Sequence, residues 1–234
     1  MIVKSFKKEN VDTSGIIIEK NASSAITFVW IEEESGKRSI AWNLGSKKPL
    51  LTDELRKSLI KSVKVIHLDG HENGAAIEAI KIAKNYGIKI SLDGGSLIPN
   101  IEEIIKFTDF LIVSEEFAMK FTGIKECKGY LEKLKEYEPE LLIVTRGKKG
   151  YLGYIGDTYV EKEAFKVNVV DTTGAGDVFH GAFLYGYIKS MGFEKALEFA
   201  SAVAALKCTK YGGWAAIPFY QDAINFIKEY YKKM

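Results

Sequence analysis

Cysteine, histidine and arginine are all scarce in this chain, and each scarcity excludes something. Two cysteines, Cys127 and Cys208, stand far apart. That is too few for a disulfide framework or a zinc ribbon and fits a reducing compartment. The three histidines, His67, His71 and His180, have no metal-ligand spacing, and each reads as a polar surface or core residue. Arginine occurs only at 38, 56 and 146, which leaves few candidates for a bidentate anion clamp. No stretch approaches the ~20 apolar residues of a membrane span. The lysine-rich start, Met1 to Asn10, lacks the apolar core of a secretory signal. Cytoplasm follows by elimination.

Charge of one sign is lacking too. Lys+Arg of 33 against Asp+Glu of 31 gives +2, so nothing draws the chain to nucleic acid or to an anionic membrane. There is no repeat, low-complexity tract or Pro/Ser-rich linker. No GxxxxGK[ST] loop, third glycine of a GxGxxG fingerprint, HExxH helix or GxSxG elbow is present.

What remains is ordinary globular material: 234 residues, 47% hydrophobic and 27% charged, enough for one well-buried domain. Its first part reads as β. Ile16-Ile17-Ile18 is a short apolar run, and Ala25 to Ile31 and Arg38 to Trp42 are strand patterns around a Glu34-Ser35-Gly36 turn. Ile26, Phe28 and Trp30 fall on one face of this hairpin, and Ala25, Val29 and Ile31 on the other. A hairpin apolar on both faces needs cover on both.

From about residue 52, short apolar strands alternate with helical patterns. Strands are expected at Lys64–Leu68, Ile88–Leu92, Phe110–Val113 and Leu141–Thr145, and helices at Asn73–Tyr86 and near 101–107, 115–121 and 128–137. A β-rich patch, Gly150 to Val170, precedes three helices near 175–190, 194–210 and 219–231. The expected fold is α/β, a mostly parallel sheet with helices on both faces and a small β lid. Residues 1–234 form one domain, with 14–45 as lid and 52–234 as core. Ligands of such sheets bind at the carboxyl ends of strands. That rule singles out His67-Leu68-Asp69-Gly70, Asp93-Gly94-Gly95, Ser114-Glu115-Glu116 and Thr145-Arg146-Gly147, although each also suits a plain turn.

The strongest signal is Asp171-Thr172-Thr173-Gly174-Ala175-Gly176-Asp177, between an apolar strand expected at Val167–Val170 and a helix. The glycines let a backbone approach closely, and the helix start adds free N–H donors and a positive dipole end. A phosphoryl group there would have its developing charge stabilised by Gly174, Ala175 and Gly176. Asp177 could take the proton of a hydroxyl attacking phosphorus. The competing account is a glycine turn whose Asp complements the helix dipole.

This string, with Phe179 and Gly181 after it, resembles the C-terminal signature of the ribokinase-type (PfkB) carbohydrate kinases, and the similarity covers nearly the whole chain. Glu34 to Ile40, Ile66 to Gly70 and Val203 to Cys208 look closest to ketohexokinase-like ketose kinases. The resemblance implies a ribokinase-like three-layer sandwich and ATP-dependent phosphorylation of a sugar hydroxyl. The same signature also serves nucleosides, sugar acids and vitamin precursors. It makes Asp177 the base and 174–176 the anion hole. Thr145, Gly147, Ser201, Gly212 and Gly213 would line the nucleotide site, Ser201 being equally a small residue in a tight helix contact. Arg38 from the lid, and Asp69, would reach the sugar. Asp171 and Thr173 match positions that hold a monovalent cation such as K⁺ in some members, with capping as the other reading.

Two departures stand out. The family's Asn-x-x-Glu motif, tied to magnesium and phosphate, reads Ser114-Glu115-Glu116-Phe117 here. Glu115 or Glu116 could serve Mg²⁺ through water. A family segment of several dozen residues that carries the first core strands and a sugar-binding Asp is absent. A shortened gene, a diverged member or a non-catalytic nucleotide- or sugar-binding protein would each read this way. The expected consequences are an unpaired strand edge and exposed apolar surface, covered by a partner subunit or a compensating rearrangement; the hairpin apolar on both faces separately predicts a homodimer in which the lids pack together.

Overall fold

The alternation of apolar runs with amphipathic segments becomes a six-stranded sheet between two helical layers, with a separate two-stranded ribbon. The computed structural model describes residues 2–32 and 38–232. A short helix α1 (Ile2–Lys8) leads to the ribbon, β1 (Ile26–Ile31) and β2 (Arg38–Asn43). They pair antiparallel in a register that sets Phe28 opposite Ala41 and Thr27 opposite Trp42. The expected turn, Glu34-Ser35-Gly36, lies outside the described residues. After α2 (Lys57–Ile60) come β3 (Val65–Leu68), α3 (Asn73–Asn85), β4 (Lys89–Gly94), α4 (Ile101–Ile105), β5 (Phe110–Ser114), α5 (Glu115–Thr122), α6 (Cys127–Lys135) and β6 (Leu141–Thr145). The chain then forms β7 (Tyr151–Ile155), β8 (Thr158–Lys162), α7 (Ala175–Ile188), α8 (Phe193–Lys207) and α9 (Tyr220–Lys232).

Sheet order is β3-β4-β5-β6-β7-β8, parallel through β6 and antiparallel after it. The parallel strands are apolar on both faces because both faces are covered. Ile90, Leu92, Leu111 and Val113 pack with α3, α4, α5 and α6 residues in one core. Phe110, Ile112, Leu141 and Ile143 pack with α7, α8 and α9 residues in the other. Those alternating positions fix which strand side chains face α7.

Two sequence expectations change. Val167–Val170 joins no sheet and bends at Val170, because the antiparallel ladder ends with β8 before it. Its Val170 N–H instead donates to Cys208 O at 2.8 Å. Ile16–Ile18 is irregular and exposed rather than a strand. The anticipated open edge is present, since β3 pairs only with β4 among the described residues. The lid keeps its apolar side chains in solvent, with Phe28 64%, Trp30 60% and Trp42 63% exposed.

Candidate active site

Four parallel strands end on the same side of the sheet, and the loop into α7 lies against that end. Gly174 caps α7 in the left-handed conformation, φ +74°, which an L side chain adopts only under strain. A Cβ there would stand 3.5 Å from Asp177 Oδ2 and 3.6 Å from Gly213 Cα. The Asp171–Asp177 string and the Gly212–Gly213 turn, distant in sequence, therefore meet at Gly174. The Ala175 N–H turns back to Thr172 O at 3.2 Å. Gly176 and Asp177 sit at the second and third positions of α7, where backbone N–H groups have no acceptor within the helix. Both residues are exposed, so an anion can approach those N–H groups with the Asp177 carboxylate beside it.

A buried ionic junction holds this loop. Asp171 Oδ1 accepts from Thr173 N–H at 2.8 Å, and Oδ2 accepts from Gly212 N–H at 2.9 Å. Lys207, fully buried at the end of α8, donates to Asp171 O at 2.8 Å and holds its ammonium 3.9 Å from Oδ2. Burial pushes the Asp171 carboxyl up. The Thr173 and Gly212 hydrogen bonds and the Lys207 charge outweigh it, so its pKa lies below the usual carboxylate value. Lys207 carried no signal in the sequence beyond its place in an alanine-rich helix.

The strand-end residues divide. Thr145 ends β6 and donates through Oγ1 to Val113 O at 3.3 Å, and Gly147 opens the next turn. Glu115 starts α5 with one carboxylate oxygen 3.8 Å from Lys149 Nζ, and Tyr130 donates to the other at 3.3 Å. Glu116 turns outward to Lys120 at 2.5 Å, so Glu115 alone of the two faces the strand ends. Phe117 is 1% exposed and stacks on Phe121 in the core; an apolar core position explains why no carboxylate stands there. Asp69, exposed after β3, accepts from His71 N–H at 3.0 Å. Ser201 is buried in α8 between Ala200 and Ala202. Arg38 stands opposite Ile31 in the ribbon, and its side chain lies outside the described residues.

The histidines depart from expectation. His67 and His180 come together around Asp93, with donor atoms of all three within 4.8 Å of one another. His180 Nε2 is 3.3 Å from Asp93 Oδ1. Burial raises the Asp93 pKa, but His180 and His67 more than offset it and leave a carboxylate below its ordinary range. Burial of the His67 ring, aided by repulsion from His180, lowers its pKa. Linear spacing could not show this cluster, because β3, β4 and α7 contribute one residue each. Its only trace was that two of the three lie in strand-end turns. A separate depression of about 760 Å³, lined by Lys61, Lys64, Lys89 and Phe193 among others, sits at the amino ends of the strands and is not part of this site.

Fold and site together define a ribokinase-like sandwich with a lid. Residues 1–219 match the family described as pfkB family carbohydrate kinase, and the chain belongs to that family, whose members are phosphotransferases. It is 31% identical over 254 residues to Fructokinase-1 of Zea mays, covering 98% of this chain and 79% of that one. Identity to Fructokinase-2 of Oryza sativa subsp. japonica is 30% over 254 residues, covering 98% and 76%. Among solved structures, ribokinase from Thermotoga maritima superposes with a TM-score of 0.80 at 24% identity, covering 97% of this chain and 76% of that one. The Arabidopsis thaliana ribokinase complexed with ribose and ATP does so with 0.75 at 24% identity, covering 89% and 70%. No helix among the described residues is long and apolar enough to cross a membrane.

Proposed function

We propose that this protein transfers the γ-phosphoryl group of ATP to a hydroxyl of a ketose-like sugar, with Asp177 as the general base. The observation that carries the reading is the junction at Gly174. It sets a carboxylate beside two N–H groups that have no helical acceptor, at the carboxyl ends of the strands. The sugar oxygen attacks phosphorus, its proton passes to Asp177, and the bond from phosphorus to the bridging oxygen breaks to release ADP. The Gly176 and Asp177 N–H groups, presented by the turn that Gly174 and Ala175 make, stabilise the charge that develops on the phosphoryl oxygens. The ketose class follows the fructokinases among the relatives, and ATP follows the ribokinase solved with ribose and ATP.

Mg²⁺ would arrive with the nucleotide phosphates and neutralise their charge. Glu115 has the oxygen chemistry to hold it through water, and Glu116 is turned away. Thr145, Gly147, Ser201, Gly212 and Gly213 are assigned to the nucleotide, Asp69 and Arg38 to the sugar. A monovalent cation at Asp171 and Thr173 would share that carboxylate with Lys207. Residues 14–45 act as lid over the 52–234 core. The exposed Phe28, Trp30 and Trp42 support a homodimer in which lids cover one another. Cys127 and Cys208, not joined by a disulfide, suit the reducing cytoplasm. The test is ADP release from MgATP with fructose, other ketoses, ribose, sugar acids and nucleosides. Turnover led by a ketose supports the reading; turnover led by a nucleoside or a sugar acid replaces the substrate class.

A further inference from the structure

Histidine imidazoles and a carboxylate that converge from three elements are the usual donors of a transition-metal site. Ile66 and Leu68 pack into the core on one face of β3, so His67 between them faces the α7 layer. Asp93 follows Leu92 of that same core and also faces α7. His180 projects from α7 toward both and is 4% exposed.

We propose that His67, Asp93 and His180 bind a divalent transition-metal ion. The 3.3 Å between His180 Nε2 and Asp93 Oδ1 equals the separation of about 3.3 Å between tetrahedral ligands with bonds near 2.05 Å. His67 is the remaining donor, within 4.8 Å of the other two. It lies on β3, the strand at the open edge of the sheet. Ser91, its register partner on β4, meets its Nδ1 at 3.1 Å. That bond orients the imidazole and leaves Nε2 for the ion, as outer hydrogen bonds do in metal sites. Nitrogen and carboxylate donors select Zn²⁺ or Co²⁺ over Mg²⁺, which prefers oxygen and retains water. Three protein ligands leave a coordination position open. His180 lies three residues after Asp177 on α7, so the ion would sit one helical turn from that carboxylate.

The site is tested without measuring phosphorylation, so its outcome is separate from that of the kinase reading. The full chain is stripped with EDTA, dialysed and titrated with Co²⁺ and with Zn²⁺, by calorimetry and by the visible absorption of Co²⁺. The expected result is one saturable equivalent per chain, a tetrahedral-type Co²⁺ spectrum abolished by Zn²⁺, and no displacement by excess Mg²⁺. His67→Ala, at the exposed edge, and Asp93→Asn should each weaken binding by at least about tenfold. His71→Ala, outside the cluster, should not. Circular dichroism confirms that each variant is folded. Absence of saturable uptake, or uptake unchanged in both His67→Ala and Asp93→Asn, overturns the proposal.

Discussion

The ammonium of Lys207 lies 2.8 Å from the carbonyl oxygen of Asp171 and 3.9 Å from its carboxylate, with both side chains sealed from solvent. Asp171 in turn carries the hydrogen bonds of Thr173 and Gly212. One buried pair thus ties the end of α8 to the loop that opens α7. Removing one partner of such a pair leaves a buried charge alone, at a cost of about 3–5 kcal/mol. Lys207→Met should therefore lower the denaturation midpoint sharply and loosen the Asp177 loop, so that turnover falls in protein still folded at low temperature. Urea melts with steady-state rates check this. A stability loss under ~1 kcal/mol, typical of an exposed pair, would contradict it.

The same junction makes stability depend on acid. The Asp171 carboxyl has a folded-state pKa below its ordinary value. Its contribution is therefore complete above the unfolded pKa of about 4 and is lost as pH falls through the lower folded value. Thermal melts from pH 7 downward should show a loss setting in below about pH 4. Asp171→Asn should be less stable at pH 7 and lose less on acidification. Parallel curves for the two proteins would show that Asp171 is not the group responsible.

Much of the fold was legible because each parallel strand is a short apolar run bounded by a turn, as at Leu141–Thr145, where expectation and structure coincide. The Asp171–Asp177 string was legible for a similar reason: glycine spacing and a following helix are local features. Val167–Val170 misled because its apolar residues suit a strand, while its chain turns toward the end of α8, where the Val170 N–H donates to Cys208 O instead of to a strand. The Lys207–Asp171 pair and the His67, Asp93 and His180 cluster were invisible because their chemistry exists only after distant elements pack. Phe117 looked like a defect in a metal motif, yet its burial beside Phe121 gives it a packing role.

Gly174→Ala tests the geometry of the loop. At φ +74° an alanine costs about 1–2 kcal/mol, and its methyl would stand between Asp177 and the Gly213 turn. The melting temperature should drop by a few degrees while kcat falls more than KM rises, as expected when transition-state contacts are displaced. A variant with unchanged kcat would remove Gly174 from the anion hole.

The lid makes a prediction about assembly. Replacing Phe28 and Trp30 together by serine removes the exposed apolar face that a second lid would cover. Light scattering at micromolar concentration should then shift from dimer to monomer. A wild-type chain that is already monomeric would refute the lid-to-lid contact.

The most direct test of the account is ADP release with MgATP and fructose, comparing the wild-type chain with Asp177→Asn. A general base is worth about 10²–10⁴-fold, so the variant should lose that much turnover and still bind ATP through the N–H groups of the loop. Turnover undiminished by the substitution, or absent from the wild-type chain across every sugar while ATP binds, would contradict Asp177 as the base of a sugar kinase.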